Sequence, residues 1–485
     1  MALPTRRAFL ENSLFASAAA LAASAPRFAW SEESASKSPN DKLSVAVVGV
    51  RSRGKSHTEA YSKRPDTEIT YICDADEQIG QAECDDLAKR QQRRPKYVRD
   101  MRDVFDDKSV DIVTTATPNH WHALTSIWAM QAGKDVYVEK PVSHNVAEGR
   151  RMVETARKHK RICQTGTQSR SNPGMREMME YLLGGGIGDV KVARGLCYKR
   201  RPSIGPKGVY QPPQSVNFEL WCGPAPVKPL TRPKLHYDWH WTWDYGNGDL
   251  GNQGIHQMDL ARWGLGLNRL SDQVFSFGGR FGYDDAGETA NTQVVVHDYG
   301  DKTLVFEVRG LETEDLDGAG VGVIFYGTEG KLVSPSYSGG THFDKTGKVV
   351  KSFNQGDDKY HFDNFIKAVR SRKHEDLNAD IEEGHLSSAL CHLGNISYLL
   401  GDRVPVGEAR ERLKSVHSGD DLAAVYKRFE QHLAANGVPP EFTAVQFGRP
   451  LAFDAAEESF RERDLNSWLT REYRAPFVVP AAGQV

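Results

Sequence analysis

Four stretches of the chain carry residue types from which a chemical site could be built. The first is Gly49-Val50-Arg51-Ser52-Arg53-Gly54, at the end of the apolar run LSVAVVGV. A glycine turn between a buried strand and a helix lets backbone amides approach phosphate oxygens, as in the G-x-G-x-x-G fingerprint of dinucleotide-binding folds. Gly49 suits the tight turn and Gly54 the close helix–strand packing, with a helix expected from about Lys55. Arg51 stands where the second glycine normally admits the pyrophosphate. Either the loop bows outward or the guanidinium adds charge to phosphate binding. Asp74 closes the next apolar run, EITYICDAD. A carboxylate at that strand end accepts hydrogen bonds from ribose hydroxyls and repels a 2′-phosphate, which favours NAD; Arg51 and Arg53 leave NADP possible.

The second and third stretches are Thr117-Pro118-Asn119-His120-Trp121-His122 and Glu139-Lys140-Pro141, each directly after an apolar run. The fourth, residues 200–250, is dense in proline and aromatic residues and ends in LHYDWHWTWDYGNGD. Trp239, Trp241 and Trp243 alternate with polar residues there, an extended pattern. Flat rings beside His240 and Asp244 suit the C–H faces and hydroxyls of a sugar, and packing of a long loop is the competing explanation. His236 and His240 lie four apart, but without helical context that spacing is no metal site, and none is expected.

The elements that would position these stretches follow from periodicity. Runs at 43–50, 68–74, 110–117, 135–139 and 160–168 read as parallel strands covered on both faces, alternating with helical patterns. That alternation is a doubly wound sheet, and ligands of such sheets bind at the carboxyl ends of the strands, where the polar stretches lie. Further on, VFSFGGRF, NTQVVVHDYG, KTLVFEVRG, VGVIFYGTEGKLVS and the segment after Lys348 read as strands of a second sheet.

The length of 485 residues favours two domains. The 62 basic and 64 acidic residues nearly cancel, which argues against a nucleic-acid partner. The six cysteines are scattered, without zinc or disulfide spacing. At the N-terminus, Thr5-Arg6-Arg7-Ala8-Phe9-Leu10, an Ala/Leu stretch and Ala23-Ser24-Ala25 have the order of a secretory signal. The paired arginines point to the twin-arginine route and so to a periplasmic or otherwise exported protein. No later apolar run spans a bilayer. The expected organisation is signal and linker 1–40, an NAD(P)-binding Rossmann domain 41–166, an α+β domain 167–410 and an extension 411–485 with one helix near 419–436.

The T-P-x-x-x-H strand end, the run A-G-K-x-V-x-V-E-K-P ending at Pro141, the segment Gly251-Asn252-Gln253-Gly254-Ile255-His256-Gln257-Met258-Asp259-Leu260-Ala261-Arg262-Trp263, and HFDNFIKAVRSRK with ADIEEGHLSSALCHLGNISY resemble the glucose–fructose oxidoreductase/inositol dehydrogenase/rhizopine catabolism (Gfo/Idh/MocA) superfamily over roughly residues 43–405. The resemblance implies a second domain with a large, open, mostly antiparallel sheet, one face of which forms a homo-oligomer interface, and a late helix pair returning across that domain. It implies that Asn119, Trp121, His122 and Glu139 line the nicotinamide end. Lys140 would bond the reacting hydroxyl and His256 would take its proton. Asn252 stands where the family has aspartate, one turn before His256, so either the base is weaker or Asp259, Asp249 or Asp244 replaces the missing charge. Arg170, Tyr198, Trp239, His240, Trp243, Asp244 and His256 are the expected substrate contacts.

Oxidation of a secondary alcohol needs a base at the oxygen, and histidine titrates in the working range. A lysine ammonium stabilises the developing alkoxide. An exported enzyme has no free cofactor pool, so tightly held NAD, regenerated in place, is expected. Three functions remain open: a sugar or polyol oxidoreductase, a redox-neutral NAD-dependent glycosidase acting through a transient 3-keto sugar, and a non-catalytic sugar-binding protein. The second is suggested by the T-P-x-x-W-H stretch, which resembles exported glycosidases of the superfamily; those commonly lack the E-K-P lysine.

Overall fold

The computed structural model describes residues 41–354, 356–357 and 359–485; the export signal expected before residue 41 lies outside them. The first sheet contains β1 (Leu43–Val48), β2 (Thr67–Cys73), β3 (Lys96–Val98), β4 (Ile112–Thr115), β5 (Asp135–Val138) and β6 (Cys163–Thr165). All six are parallel, in the order β3-β2-β1-β4-β5-β6. Side chains alternate faces along a strand, so β1 must be apolar on both. Val45 and Val47 meet Tyr61 and Leu87 on one side, while Ala46 and Val48 join the cluster of Leu124, Ile127 and Met152 on the other. The order reverses between β1 and β4, which opens a crevice at the strand ends.

The second sheet contains β7 (Val190–Tyr198), β8 (Gln273–Gly279), β9 (Thr292–Asp298), β10 (Thr303–Arg309), β11 (Val321–Gly327), β12 (Gly330–Ser334), β13 (Gly339–Asp344), β14 (Val349–Asn354), β15 (Asp402–Pro405) and β16 (Ala444–Phe447). Its path is β14-β13-β12-β11-β7-β10-β9-β8-β16-β15. Within it β7 and β10 are parallel and the other pairs antiparallel. This is the expected Rossmann domain beside a large, open, mostly antiparallel sheet. The inner face packs Val295, Phe306 and Phe325 against Met179, Met258 and Leu390 of the Pro173–Leu183, Gly254–Gly264 and Ile381–Leu399 helices.

The outer face, expected to meet another copy, is partly covered by the chain itself. Phe277, Val294, Val296 and Val305 bury against Val425, Tyr426 and Phe429 of the Leu422–Ala435 helix. Beside them Glu307 lies fully buried, bonded to Arg194 at 2.5 Å, Arg428 at 2.7 Å and Arg309 at 3.0 Å. Burial pushes its carboxyl up, but the three guanidiniums outweigh that and hold it far below the ordinary carboxylate range.

Of the late helix pair, only Ile381–Leu399 crosses the second domain. The Lys359–Ser371 helix buries Phe362, Phe365 and Ile366 in the cluster of β1, because its apolar stripe matches that exposed sheet face. The segment after residue 450 touches both domains. Leu451 pairs with Val274 of β8, and Glu458 bonds His385 at 3.0 Å and also Arg150. The chain then crosses to the Rossmann domain, where Phe477 packs edge-on to Trp121 at 5.3 Å beneath Arg474. Phe477→Ala is expected to cost about 3 kcal/mol by loss of buried area and creation of a cavity, measured as a shift of the urea midpoint.

Candidate active site

The strand ends of the first sheet and the inner edge of the second domain enclose a cavity of about 620 Å³. Gly49 begins it, with φ +79 and a missing Cβ that would lie 2.9 Å from the Thr117 amide. A Cβ on Gly54 would lie 2.0 Å from the Gly49 carbonyl oxygen, so the helix Arg53–Ser62 approaches β1 only because residue 54 is glycine. That helix starts two residues earlier than expected. Arg51, at the position of the missing second glycine, and Ser52 are exposed on the cavity wall. Gly54→Ala is expected to push the turn outward and to weaken dinucleotide binding at least tenfold, read by fluorescence titration with NADH.

Asp74 is held for its task by the backbone. Val50 N donates to one carboxylate oxygen at 2.9 Å and Asp76 N to the other at 2.9 Å. Burial nevertheless raises its pKa to about 6. Arg53 points elsewhere: its Nε donates at 2.7 Å to Glu139, a buried carboxylate that also meets His57 Nε2 at 3.1 Å. Burial pushes the Glu139 carboxyl up, but Arg53, His57 and Lys140 hold it well below the usual range. Glu139 therefore anchors the glycine turn to the end of β5, and the charge of Arg53 is engaged there.

Thr117, Pro118, Asn119, Trp121 and His122 all line the cavity. Their polar atoms are largely committed to holding loops. Asn119 donates to Asn247 Oδ1 at 3.1 Å, Trp121 Nε1 to the Leu220 carbonyl at 3.0 Å, and the His122 nitrogens contact the carbonyls of Pro141 at 2.6 Å and Thr117 at 2.7 Å.

Lys140 spans the domains. Its Nζ donates at 2.7 Å to the backbone carbonyl of Asn252, which closes the short helix Gly248–Asn252 and offers an oxygen with no partner inside that helix. Burial lowers the Lys140 pKa. The helix break at Gln253 means that residue 252 acts here through its main chain, so asparagine in place of aspartate leaves this contact unchanged. The three carboxylates that could replace that aspartate are engaged elsewhere: Asp249 with Arg201 at 2.6 Å, Asp259 with Arg170 at 2.8 Å, and Asp244 with Lys228 at 2.9 Å. His256 lies on the same cavity wall as Lys140. Burial first, then the Lys140 charge, holds its pKa well below 6.5, so the ring is neutral and able to accept a proton.

The aromatic stretch is not extended. Asp238–Trp241 forms a 3-10 turn, because Tyr237 adopts φ +67 and reverses the chain. Trp239 and His240 reach the cavity, stacked at 3.7 Å, and Tyr237 lines it too, its hydroxyl accepting from Arg201 at 3.1 Å. The 3-10 rotation removes Trp241 to a separate apolar cluster and leaves Trp243 and Asp244 off the cavity wall. Arg170 also departs from expectation: Asp259 and Glu383 pair with it in the interior. Tyr198 is on the outer face of the second sheet, donating to Glu307 at 2.7 Å, because residue parity along β7 turns it away from the cleft. His236 meets Asp76 at 3.0 Å while His240 stacks on Trp239, so the two histidines do not converge.

Lys199, Gln253 and Tyr337 complete the wall without having stood out in the sequence. Lys199 directly follows β7, a position that a strand-end rule could have marked. Tyr337 sits in the turn between β12 and β13 and carries no sequence signal; its ring meets His256 edge-on at 5.2 Å and its hydroxyl bonds Gln253.

A parallel dinucleotide sheet facing a second domain, with a lysine and a neutral histidine on the wall of the cavity between them, defines a two-domain NAD(P)-binding oxidoreductase. The glycine turn, which added Cβ atoms would fill, and the oriented Asp74 fit such a cofactor. Residues 43–167 match the Gfo/Idh/MocA model described as an oxidoreductase family, NAD-binding Rossmann fold, and residues 203–433 match that family's C-terminal alpha/beta domain. The chain belongs to the Gfo/Idh/MocA oxidoreductase family.

Among the curated relatives, a glycosyl hydrolase family 109 protein of Shewanella baltica is 30% identical over 143 residues, 29% of this chain and 31% of the relative. Levoglucosan dehydrogenase of Pseudarthrobacter phenanthrenivorans is 26% identical over 242 residues, 48% of this chain and 54% of the relative. The matches thus span between about a third and a half of these relatives' lengths. The fold is shared with the WlbA dehydrogenase of Bordetella pertussis, solved with NADH and UDP-GlcNAcA, at a TM-score of 0.56 and 19% identity over 73% of this chain and 95% of that one. Among the described residues no helix is long and apolar enough to cross a membrane.

Proposed function

We propose that this chain moves hydride between tightly held NAD(H) and a secondary hydroxyl of a carbohydrate. The carrying observation is that Lys140 and a neutral His256 share one cavity with the Gly49–Gly54 turn and Asp74. When bound, the dinucleotide supplies the hydride acceptor or donor. Lys140 Nζ gives one N–H to the Asn252 carbonyl, which leaves two for the substrate oxygen. That fixed ammonium stabilises alkoxide charge as it develops. A His256 ring nitrogen accepts the hydroxyl proton and returns it in the reverse direction. The rings of Tyr237, Trp239 and Tyr337 offer apolar faces to a sugar. Export by the twin-arginine route belongs to this proposal. Changing Arg6 and Arg7 together to lysine is expected to strand the protein in the cytoplasm, as cell fractionation would show.

A second function, redox-neutral glycoside cleavage, is favoured by the 143-residue match to a family 109 hydrolase and opposed by the retained Lys140. One experiment separates the two. Protein purified from its exported form is denatured to release any bound dinucleotide, and intact protein is followed at 340 nm with sugars and aryl glycosides. Net absorbance change on sugars supports oxidoreduction. Aglycone release without net change supports cleavage. Failure to bind added NAD(H) overturns both.

A further inference from the structure

We propose that the carbohydrate is acidic, carrying a carboxylate or sulfate that binds at Lys199. This rests on the cavity being a carbohydrate site. Its substrate end carries two cations, Lys140 and Lys199, and no carboxylate. The three carboxylates on the cavity wall belong to the first domain: Asp74 after β2, Asp100 after β3 and Glu139 after β5. Of these, Asp100 is paired with Arg102 at 2.5 Å and Glu139 with Arg53 at 2.7 Å. Asp249, behind the wall, is neutralised by Arg201. The mouth opposite the dinucleotide site therefore has uncompensated positive charge.

Lys199 is also held in place. Its backbone N–H continues the pairing of β7 with β10 by donating to the Arg309 carbonyl at 3.1 Å. Gln253 bonds the Tyr337 hydroxyl through its amide nitrogen, which turns its oxygen toward Lys199 Nζ at 3.5 Å. Among the described residues that long, neutral contact is the polar partner of the ammonium, and no carboxylate pairs with it. Lys199 faces a cavity lined by aromatic rings, where a ligand anion would form a charge-assisted bond in partly excluded water. Lys140, already bonded to Asn252, adds attraction of the same sign and disfavours an amino sugar.

The test uses the holoprotein and pairs of equal shape: methyl glucoside against methyl glucuronide, the galacto and manno pairs, and the 6-sulfates. Binding is read by tryptophan fluorescence, since Trp239 lines the site, and turnover at 340 nm. The acidic member of a pair is expected to bind at least tenfold tighter, with the advantage shrinking as salt rises. Lys199→Met is expected to bring the acidic-to-neutral ratio close to one and Lys199→Arg to keep it. Preference for uronate over sulfate, or the reverse, identifies the anion. Equal binding of neutral and acidic members, or a preference that survives Lys199→Met, overturns the proposal while leaving the carbohydrate function intact. If no sugar of either kind binds, the carbohydrate function fails and takes this proposal with it.

Discussion

Lys140→Met is expected to lower kcat by about 100- to 1,000-fold while NAD(H) stays bound, the loss typical of removing one preorganised donor from a developing oxyanion. Methionine matches the length and apolar stem of lysine, so the cavity keeps its shape. What disappears is the ammonium that Asn252 O holds at 2.7 Å. Steady-state kinetics beside NADH fluorescence titration distinguish a chemical role from a folding role. A fall in kcat with unchanged dinucleotide affinity supports the assignment, whereas a variant with normal kcat removes Lys140 from the chemistry. His256→Ala should fall by a similar factor, and the double variant by less than the product, because the two groups act on one oxygen. The pH profile carries the same information. Burial and Lys140 depress the His256 pKa, so the acid limb, where the base becomes protonated, should lie well below pH 6.5. Lys140 must be charged and its pKa is lowered by burial, so the alkaline limb should lie below 10.5.

The second large effect is acid lability. His57, His120, His122, His297, His361 and His392 are at most 3% exposed, and burial lowers the pKa of each. Once the pH falls below about 6.5, the unfolded chain binds protons at these positions that the folded chain refuses, so stability falls with pH. Three carboxylates act in the opposite sense. Burial raises Glu148 to about 7 and Asp74 to about 6, and also raises Asp135, so the folded state gains protons there over the same window. The lowered histidines outnumber the raised carboxylates, so unfolding takes up protons on balance and stability falls as the pH drops below about 6.5. Against a total stability of about 5–15 kcal/mol, a net uptake of protons by buried groups makes the fold sensitive to mild acid. Urea unfolding at half-unit steps checks it; a midpoint independent of pH from 7 to 5 would contradict the burial of these rings.

The two sheets were legible because their signals are local. Continuous valine-rich runs mark strands buried on both faces, and the glycines at 49 and 54 mark a turn that tolerates no Cβ. Lys140 and His256 were legible through motifs at a strand end and on a helix, and the cavity holds both. The aromatic stretch misled, since alternation of Trp239, Trp241 and Trp243 has the period of a strand while a single left-handed residue, Tyr237, winds it into a 3-10 turn.

The sequence by itself therefore determined the Rossmann domain, the second sheet, the glycine turn after β1 and the places of Lys140 at a strand end and His256 on a helix, because each depends on backbone preferences and periodicities spanning a few residues. Only the tertiary structure decided who partners whom. Arg53 meets Glu139 across 86 residues of chain and Lys140 meets the Asn252 main chain across 112. Strand parity and helix packing sent Tyr198 and Arg170 away from the cleft and brought Lys199 and Tyr337 into it. Such pairings depend on how whole elements dock, and no spacing along the chain records that.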